Sequence, residues 1–455
     1  MAVSTDGLAA VVKGRIVAQG DPDYDSARAL YNAMIDKRPA AIAYCRDEVE
    51  VAAAVRYANE HGLRVAVRSG GHNGAGLGSV DDGLVVDLSE LGEVTVDPEA
   101  RIARVQGGAT LNAVVGATGE HGLTVPVGII GTTGVGGLTL GGGIGHLTRA
   151  LGLTIDNLVE ATVVLADGSV VQADAEREPD LFWALRGGGG NFGIVTSFSF
   201  RCHPVGTVLA GPVLYDLEDT AEVLRWYRDF LPAQSDELGG FFAFLSVPPG
   251  PPFPEELHLR KVCAVVWTQP GDEESAAMRE ARSFGRPLLD GIAPLPLAAW
   301  NSAFDPVYPP GDQWYWRGEF IREISDAAIE HHVGHGSAMP TWKSTMHLYP
   351  VDGAAGRVPS DATAWAYRDA VWAQVIAGVD PDPANADAIR DWAVGYSEAG
   401  KQYSLGSGYV NFQMQESGDR VRAMYGSNYE RLARVKAQYD PDNLFRVNQN
   451  ITPAA

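Results

Sequence analysis

Three glycine-rich segments hold the residues whose types and spacing could do chemistry. The first, residues 65–73, reads Val-Ala-Val-Arg-Ser-Gly-Gly-His-Asn. A β-branched strand leads directly into a tight loop. There Gly70 and Gly71 let backbone N–H groups turn toward an anion such as a pyrophosphate without Cβ interference. His72 closes the loop, and a neutral imidazole is a competent nucleophile. The plainer reading is a phosphate loop whose histidine merely sits at the surface. The second segment, 128–145, contains nine glycines. It fails the G-x-G-x-x-G dinucleotide fingerprint, since Gly134 and Gly136 are followed by Thr139, and it lacks the strand-then-helix context with a ribose-binding acid about 20 residues on. A glycine-rich wrap lying close along an extended, flat ligand suits it better. The third, Arg186 to Val195, is a glycine run feeding a strand, which again permits close backbone approach.

These loops need elements to position them. The 455 residues are too many for one ordinary core, so two packed domains are expected. Helical spacing is read at Asp25–Met34, Val49–His61, Thr110–His121, Thr220–Phe230 and Glu273–Phe284. Strands are read at Val65–Arg68, Leu84–Asp87, Ile102–Val105, Ile194–Phe200, Gly240–Ser246 and Lys261–Thr268. A hairpin is read around Asp167-Gly168. The pattern shifts near residue 205 toward an α+β region with an antiparallel sheet. Tyr429–Asn450 reads as a helix, a turn and a polar tail.

The formal net charge of −22 argues against nucleic acid or an anionic membrane as partner. No apolar run is long enough to span a bilayer, and residues 1–14 lack the pattern of a signal peptide. Three widely spaced cysteines suggest a reducing, cytoplasmic setting. Several further residues invite a chemical reading. Trp314, Tyr315, Trp316 and Glu319 form an aromatic strand with one acid, a pocket wall or simple packing. Lys343 and His347 lie four apart near another strand, and a structural role suits one of them. His146, directly after Gly145, is read as approaching one end of the ligand or the pocket rim. His331, His332 and His335 lack the supporting ligands of a metal site and read as a solvated helix end, so no metal is expected.

Taken together and in order, these segments resemble the FAD-linked oxidases of the vanillyl-alcohol-oxidase superfamily, berberine-bridge-like branch. The C-terminal Tyr409-Val410-Asn411, Tyr425-Gly426, Lys436, Asp440-Pro441-Asp442-Asn443-Leu444-Phe445 and Asn448-Gln449-Asn450-Ile451 carry the resemblance to the end of the chain. It implies an α+β fold. A two-part PCMH-type FAD-binding domain would cover residues 1–205, joined by a C-terminal segment, 406–455. A substrate domain, 206–405, would hold an antiparallel sheet backed by helices.

The resemblance also implies FAD joined covalently to His72. A second bond to cysteine is not expected, because Ile130 occupies the place of the sulfur. Cofactor contacts are implied at Arg68, Ser69, Gly70, Gly71, Asn73 and Gly76. Along the glycine wrap they are implied at Val127, Gly128, Gly131, Thr132, Thr133, Gly136, Gly137, Leu138, Gly142 and Gly145. In the last two segments they are implied at Gly190, Gly193, Ile194, Val195, Asn448, Gln449 and Asn450. Tyr409 and Asn411 are expected on one face of a strand beside the substrate, with Tyr409 taking its proton directly or by relay. A phenol is a poor base at its ordinary pKa of about 10, so a partner must lower that value or pass the proton on. A small Thr133 would leave room for dioxygen.

The implied activity is oxidation of an alcohol, sugar or secondary metabolite, with O2 reduced to peroxide. Alternatives are a flavin-dependent oxygenase acting on polyketide-like intermediates and a non-catalytic flavin-binding scaffold. The intact His72, glycine segments and Tyr409-x-Asn411 argue against the scaffold. A reductase of the same superfamily fold that takes its electrons from NADPH lacks its signature here.

Overall fold

The computed structural model describes residues 5–455. Near the N-terminus, the strands Ala41–Tyr44, Leu84–Asp87 and Val65–Arg68 pair in parallel, and Ile16–Ala18 adds antiparallel at one edge. Parallel neighbours need a crossover, and the helix Glu48–Glu60 provides one. Its N-cap Asp47 accepts from Glu50 N, and its apolar face (Val51, Ala54, Val55, Ala58) is buried in the same core as Ala43, Val65 and Val86. The register sets Arg68 opposite Asp87 at the strand ends, so an ion pair forms where the first glycine loop begins.

A five-stranded antiparallel sheet follows, in the order Val94–Asp97, Ile102–Gln106, Ile194–Arg201, Leu158–Val164, Val170–Ala173. The last two strands flank the Asp167-Gly168 turn, where Gly168 takes a positive φ. After residue 206 the chain builds an eight-stranded antiparallel sheet. From Thr207–Asp216 it runs through Lys261–Pro270, Gly239–Ser246, Thr345–Pro350 and Trp372–Asp380 to the edge strand Gln313–Ile321. Strand residues alternate between its two faces. Phe242, Phe244, Met346, Leu348 and Ile376 pack with the helices Thr220–Phe230, Asp326–Gly336 and Ala386–Gly400. Phe241, Tyr349, Val375 and Ala377 share the opposite core with Tyr409 and Trp365. The C-terminal helices Gly418–Tyr425 and Tyr429–Tyr439 bury Val421, Tyr425, Leu432 and Val435 with Phe198 and Phe200 of the five-stranded sheet.

Two expected elements differ. The first helix covers only Tyr24–Arg28, because Ala29 turns extended and the chain beyond it is used for long-range contacts. Asn32 Nδ2 donates to Gly74 O (2.8 Å) and Trp314 O (3.0 Å). Tyr409-Val410-Asn411 is not a strand: Tyr409 is extended and leads into a single 3₁₀ turn, Val410–Phe412. Among the described residues no helix is long and apolar enough to cross a membrane.

Candidate active site

A cavity of about 320 Å³ lies between the glycine segments and the bare face of the large sheet. Arg68, Ser69, Gly70, Gly71, His72 and Asn73 form part of its wall. Gly128, Thr133, Gly136, Gly137 and Leu138 form another part, and Gly190, Gly193, Val195, Asn448 and Gln449 a third. Tyr409 and Asn411 line it as well. The structure therefore brings together residues up to about 380 positions apart in sequence, as expected for a site between packed layers.

The two main glycine loops meet backbone to backbone. A Cβ on Gly70 would lie 2.3 Å from Gly134 N, and one on Gly134 would lie 2.2 Å from Gly70 N. These glycines serve loop packing before they serve any ligand. Gly71 needs its freedom for a φ of +70°. Gly137 differs, since a Cβ there would meet nothing within 4 Å. It leaves a bare backbone surface on the cavity wall.

His72 sits where these loops converge. Tyr31 stacks on its ring with centroids 3.8 Å apart, and Tyr31 itself is fixed by donating to Tyr308 O at 2.7 Å. Thr132 Oγ1 lies 3.1 Å from Nε2, and Thr133 Oγ1 lies 3.4 Å from Nδ1. Burial pushes the imidazole down to about 4, so it is neutral and nucleophilic at ordinary pH. Arg68 is neutralised by buried Asp87, and the Ser69 hydroxyl donates to Gly107 O at 2.8 Å. Both side chains line the cavity with one hydrogen-bonding group already engaged inside the protein.

Tyr409 and Asn411 do meet, through the 3₁₀ turn rather than a strand face. Asn411 Nδ2 and Gly143 N both donate to the Tyr409 oxygen at 2.8 Å. Burial outweighs these two bonds and raises the phenol to about 12. Among the described residues no group behind it accepts its proton, so the relay expected for a basic Tyr409 has no partner there. Its proton is what it presents.

Several expected contacts stand behind the wall instead of on it. Val127 and Ile194 are core residues. Gly76 packs on Ile35, Gly142 on Trp365 and Tyr409, and Gly145 on Val127 O. Thr132 reaches the site only through His72. Gly131 is held by Asp305, which accepts from Gly131 N at 2.7 Å and from Asn112 Nδ2 at 2.9 Å. Asn450 does not line the cavity.

His146 is fully buried beside Trp300, with ring centroids 4.9 Å apart, and faces a separate small cavity. Lys343 pairs with Asp312 in the interior (2.6 Å), whereas His347 lines the main cavity. Trp314 and Trp316 line it too, while Tyr315 packs toward the helices and Glu319 pairs with Arg420. The three histidines are not a solvated helix end, since His332 is buried and bonded to Tyr396 Oη at 2.9 Å. Among the described residues no group of three or more His, Cys, Asp or Glu could hold a metal ion.

Sequence reasoning missed Tyr31, Asp87 and Asp305. Only Asp87 left a signal, as the sole acid at the end of the strand beside Arg68.

Residues 39–174 match the family described as FAD binding domain, and residues 408–452 match the family described as Berberine and berberine like. The chain is 34% identical over 97% of both chains to YgaK of Bacillus subtilis (strain 168), an uncharacterized FAD-linked oxidoreductase. It is 30% identical to a xylooligosaccharide oxidase of Thermothelomyces thermophilus, over 96% of this chain and 92% of that one. The crystal structure of 6-hydroxy-D-nicotine oxidase from Arthrobacter nicotinovorans superposes with a TM-score of 0.86 and 27% identity, covering 97% of this chain and 98% of that one.

Proposed function

Because the chain belongs to the berberine-bridge-like FAD-linked oxidoreductases, we propose that it oxidises a small organic alcohol with FAD joined to His72 and returns the electrons to dioxygen as peroxide. FAD binding and oxidoreductase chemistry belong to the family as a whole. The covalent linkage, the oxygen step and the residue roles are our reading.

The observation that carries the linkage is the environment of His72. Its ring is neutral, stacked on Tyr31, held at Nε2 by Thr132 and placed on the wall of a glycine-lined slot. Nδ1, with the longer contact to Thr133, is the nitrogen left to form a bond. Ile130 also lines the cavity and offers no sulfur for a second attachment. The bare backbone at Gly137 supports the fit of a flat ring system.

FAD, when bound, supplies the two-electron acceptor. The chain does the rest. Gly70, Gly71 and Gly190 bring backbone close to the cofactor, while the Arg68–Asp87 pair fixes the loop. Tyr409, oriented by Gly143 and Asn411, keeps its proton, donates a hydrogen bond to the substrate oxygen and so positions the carbon that is oxidised. Thr133 keeps a small side chain where oxygen must approach. The domain division at 205 and 406 follows the same reading. We place the protein in the cytoplasm, with three free and buried cysteines as support.

The test is acid precipitation of the purified protein. Yellow colour that stays with the washed pellet, and leaves it in His72→Ala, is the expected result. Colour released from the wild type into the supernatant would reject the linkage and leave the family assignment standing.

A further inference from the structure

The strand Thr345–Pro350 turns alternate residues toward the cavity, and Thr345, His347 and Tyr349 all line it. These side chains form a chain of hydrogen bonds whose direction can be deduced. Thr345 Oγ1 lies 2.7 Å from Phe244 O. A carbonyl only accepts, so the threonine's one proton goes there. The Thr345 oxygen can then only accept from His347 Nε2, 2.8 Å away. Tyr308, which also lies beside Thr345, directs its hydroxyl to Lys343 O. His347 is fully buried, which pushes it down to about 3 and keeps it neutral with a single N–H. That proton is on Nε2, so Nδ1 carries the lone pair and receives the Tyr349 hydroxyl at 2.6 Å.

Tyr349 has therefore committed its proton inward and shows the cavity only oxygen lone pairs. Tyr409 has the opposite polarity, since its oxygen already accepts two hydrogen bonds and its proton faces outward. Phe412 touches both rings, with centroids 4.8 Å from Tyr409 and 5.7 Å from Tyr349. The cavity wall thus carries a donor and an acceptor on the two sides of Phe412, the two kinds of partner a hydroxyl group needs. The surrounding surface is aromatic, from Tyr31, Tyr308, Trp314 and Trp316. Among the described residues no Asp, Glu or Lys side chain lines the cavity, and Arg68 is matched by Asp87. An ammonium substrate would find no counter-ion there.

From this arrangement we infer that Tyr349, backed by His347 and Thr345, is the catalytic acceptor of the hydroxyl proton of a neutral, ring-bearing alcohol. The inference rests on the oxidoreductase reading and adds the proton acceptor that Tyr409 lacks. FAD, when bound, would supply the acceptor for the substrate C–H hydrogen and its electron pair. The O–H bond breaks, its proton bonds to Tyr349 Oη, and the proton already on Tyr349 moves to His347 Nδ1. The products are a carbonyl compound and an imidazolium. A weakly basic imidazole suffices, because an alcohol losing hydride becomes a protonated carbonyl, a far stronger acid than imidazolium. His347 is the final holder of the proton and acts only through Tyr349, while Thr345 is a positioning residue that fixes the polarity of both.

The test uses the full-length flavoprotein in two ways. Nitrogen NMR of ¹⁵N-histidine-labelled protein, with His347→Gln to assign the signal, should show His347 as the Nε2–H tautomer. Tyr349→Phe should move the Nδ1 resonance alone. An Nδ1–H tautomer or a charged ring overturns the relay. Anaerobic flavin reduction is then followed with benzyl alcohol, 1-phenylethanol and cyclohexanol, and with benzylamine as the charged counterpart. At least one alcohol should reduce the flavin, and benzylamine should not. Tyr349→Phe should slow reduction about 100-fold or more, and Thr345→Val, which frees the tautomer, by less. Reduction of Tyr349→Phe at the wild-type rate overturns the catalytic role. A wild-type flavin reduced by dithionite but by none of the alcohols overturns the substrate class and leaves the flavoprotein reading intact. A protein that takes up no flavin overturns both.

Discussion

Replacing Lys436 by Met should unfasten the C-terminal helix from the cavity wall. Lys436 has no exposed side-chain surface. Its ammonium donates to Asp440 Oδ2 at 2.6 Å, to Asn191 O at 2.7 Å and to Phe445 O at 3.4 Å. Asn191 belongs to the glycine turn that lines the cavity, and its side chain also holds Gly188 O and Gln449 O. Methionine keeps most of the stem volume, so the loss is electrostatic and not a cavity. It leaves a fully buried carboxylate on Asp440 with only Leu444 N (2.7 Å) and Phe445 N (2.9 Å) as donors. Breaking a buried pair from one side costs about 3–5 kcal/mol, a large part of the ~5–15 kcal/mol that holds a domain together. Urea unfolding followed by tryptophan fluorescence measures the loss. Lys436→Met combined with Asp440→Asn should recover at least half of it, since the buried charge is gone and the amide oxygen still accepts from one of the two backbone donors. A single variant within about 1 kcal/mol of wild type, or a double variant weaker than the single, would refute the argument.

Gly70→Ala places a methyl inside the backbone of Gly134. It should cost about 1–3 kcal/mol or more through overpacking and lower the flavin content per purified chain, whereas Gly137→Ala should leave stability nearly unchanged. His146, His332 and His347 are each held down to about 3 by burial, against roughly 6.5 when unfolded. The unfolded chain therefore binds more protons below about pH 6.5, and stability is lost as pH falls through that window. Unfolding at pH 5 should take up about three protons from these residues, and a pH-stat reading near zero would contradict their burial. Thr133→Ile should slow reoxidation of the reduced protein by oxygen in stopped-flow measurements, and unchanged kinetics would remove Thr133 from the oxygen path.

What could be read from the chain beforehand divides along physical lines. The helices Glu48–Glu60 and Thr220–Phe230 were legible because local signals agree, an Asp cap in the first and an apolar stripe in the second. The glycine segments were legible as ligand-facing loops, yet Gly70 and Gly134 owe their type to each other. A contact between residues 64 positions apart leaves no local trace. Tyr31 and Asn32 were read as helix, because their spacing fits one, while their actual roles depend on His72 and Trp314. Tyr409-x-Asn411 was read as a strand because period-two spacing does not separate a strand from an extended residue followed by a 3₁₀ turn. The polarity of Tyr349 was invisible for a different reason. It depends on which atom of Phe244 lies across the strand pair from Thr345, a matter of register.

The two sides of the cavity are built by different means, and this bears on where specificity resides. On one side, bare glycine backbone and His72 define a shape and an attachment point with few free polar side chains. Changes there disturb loop packing, as the 2.2–2.3 Å approaches of Gly70 and Gly134 require. On the other side, alternate residues of antiparallel strands face the space. Val375, Ala377, His347 and Tyr349 lie on one face, while the intervening Ile376, Met346 and Leu348 support the helices. A substitution on the cavity side of a strand leaves the opposite core untouched, so this face can change its chemistry without refolding the domain. On the proposed reading, the substrate is decided by a few alternate positions on the strands Thr345–Pro350 and Trp372–Asp380, together with Trp314 and Trp316. In this chain those positions combine the small apolar Val375 and Ala377 with an aromatic wall and Tyr349, and no Asp, Glu or Lys among the described residues lines the space, which is the composition behind the neutral alcohol proposed above.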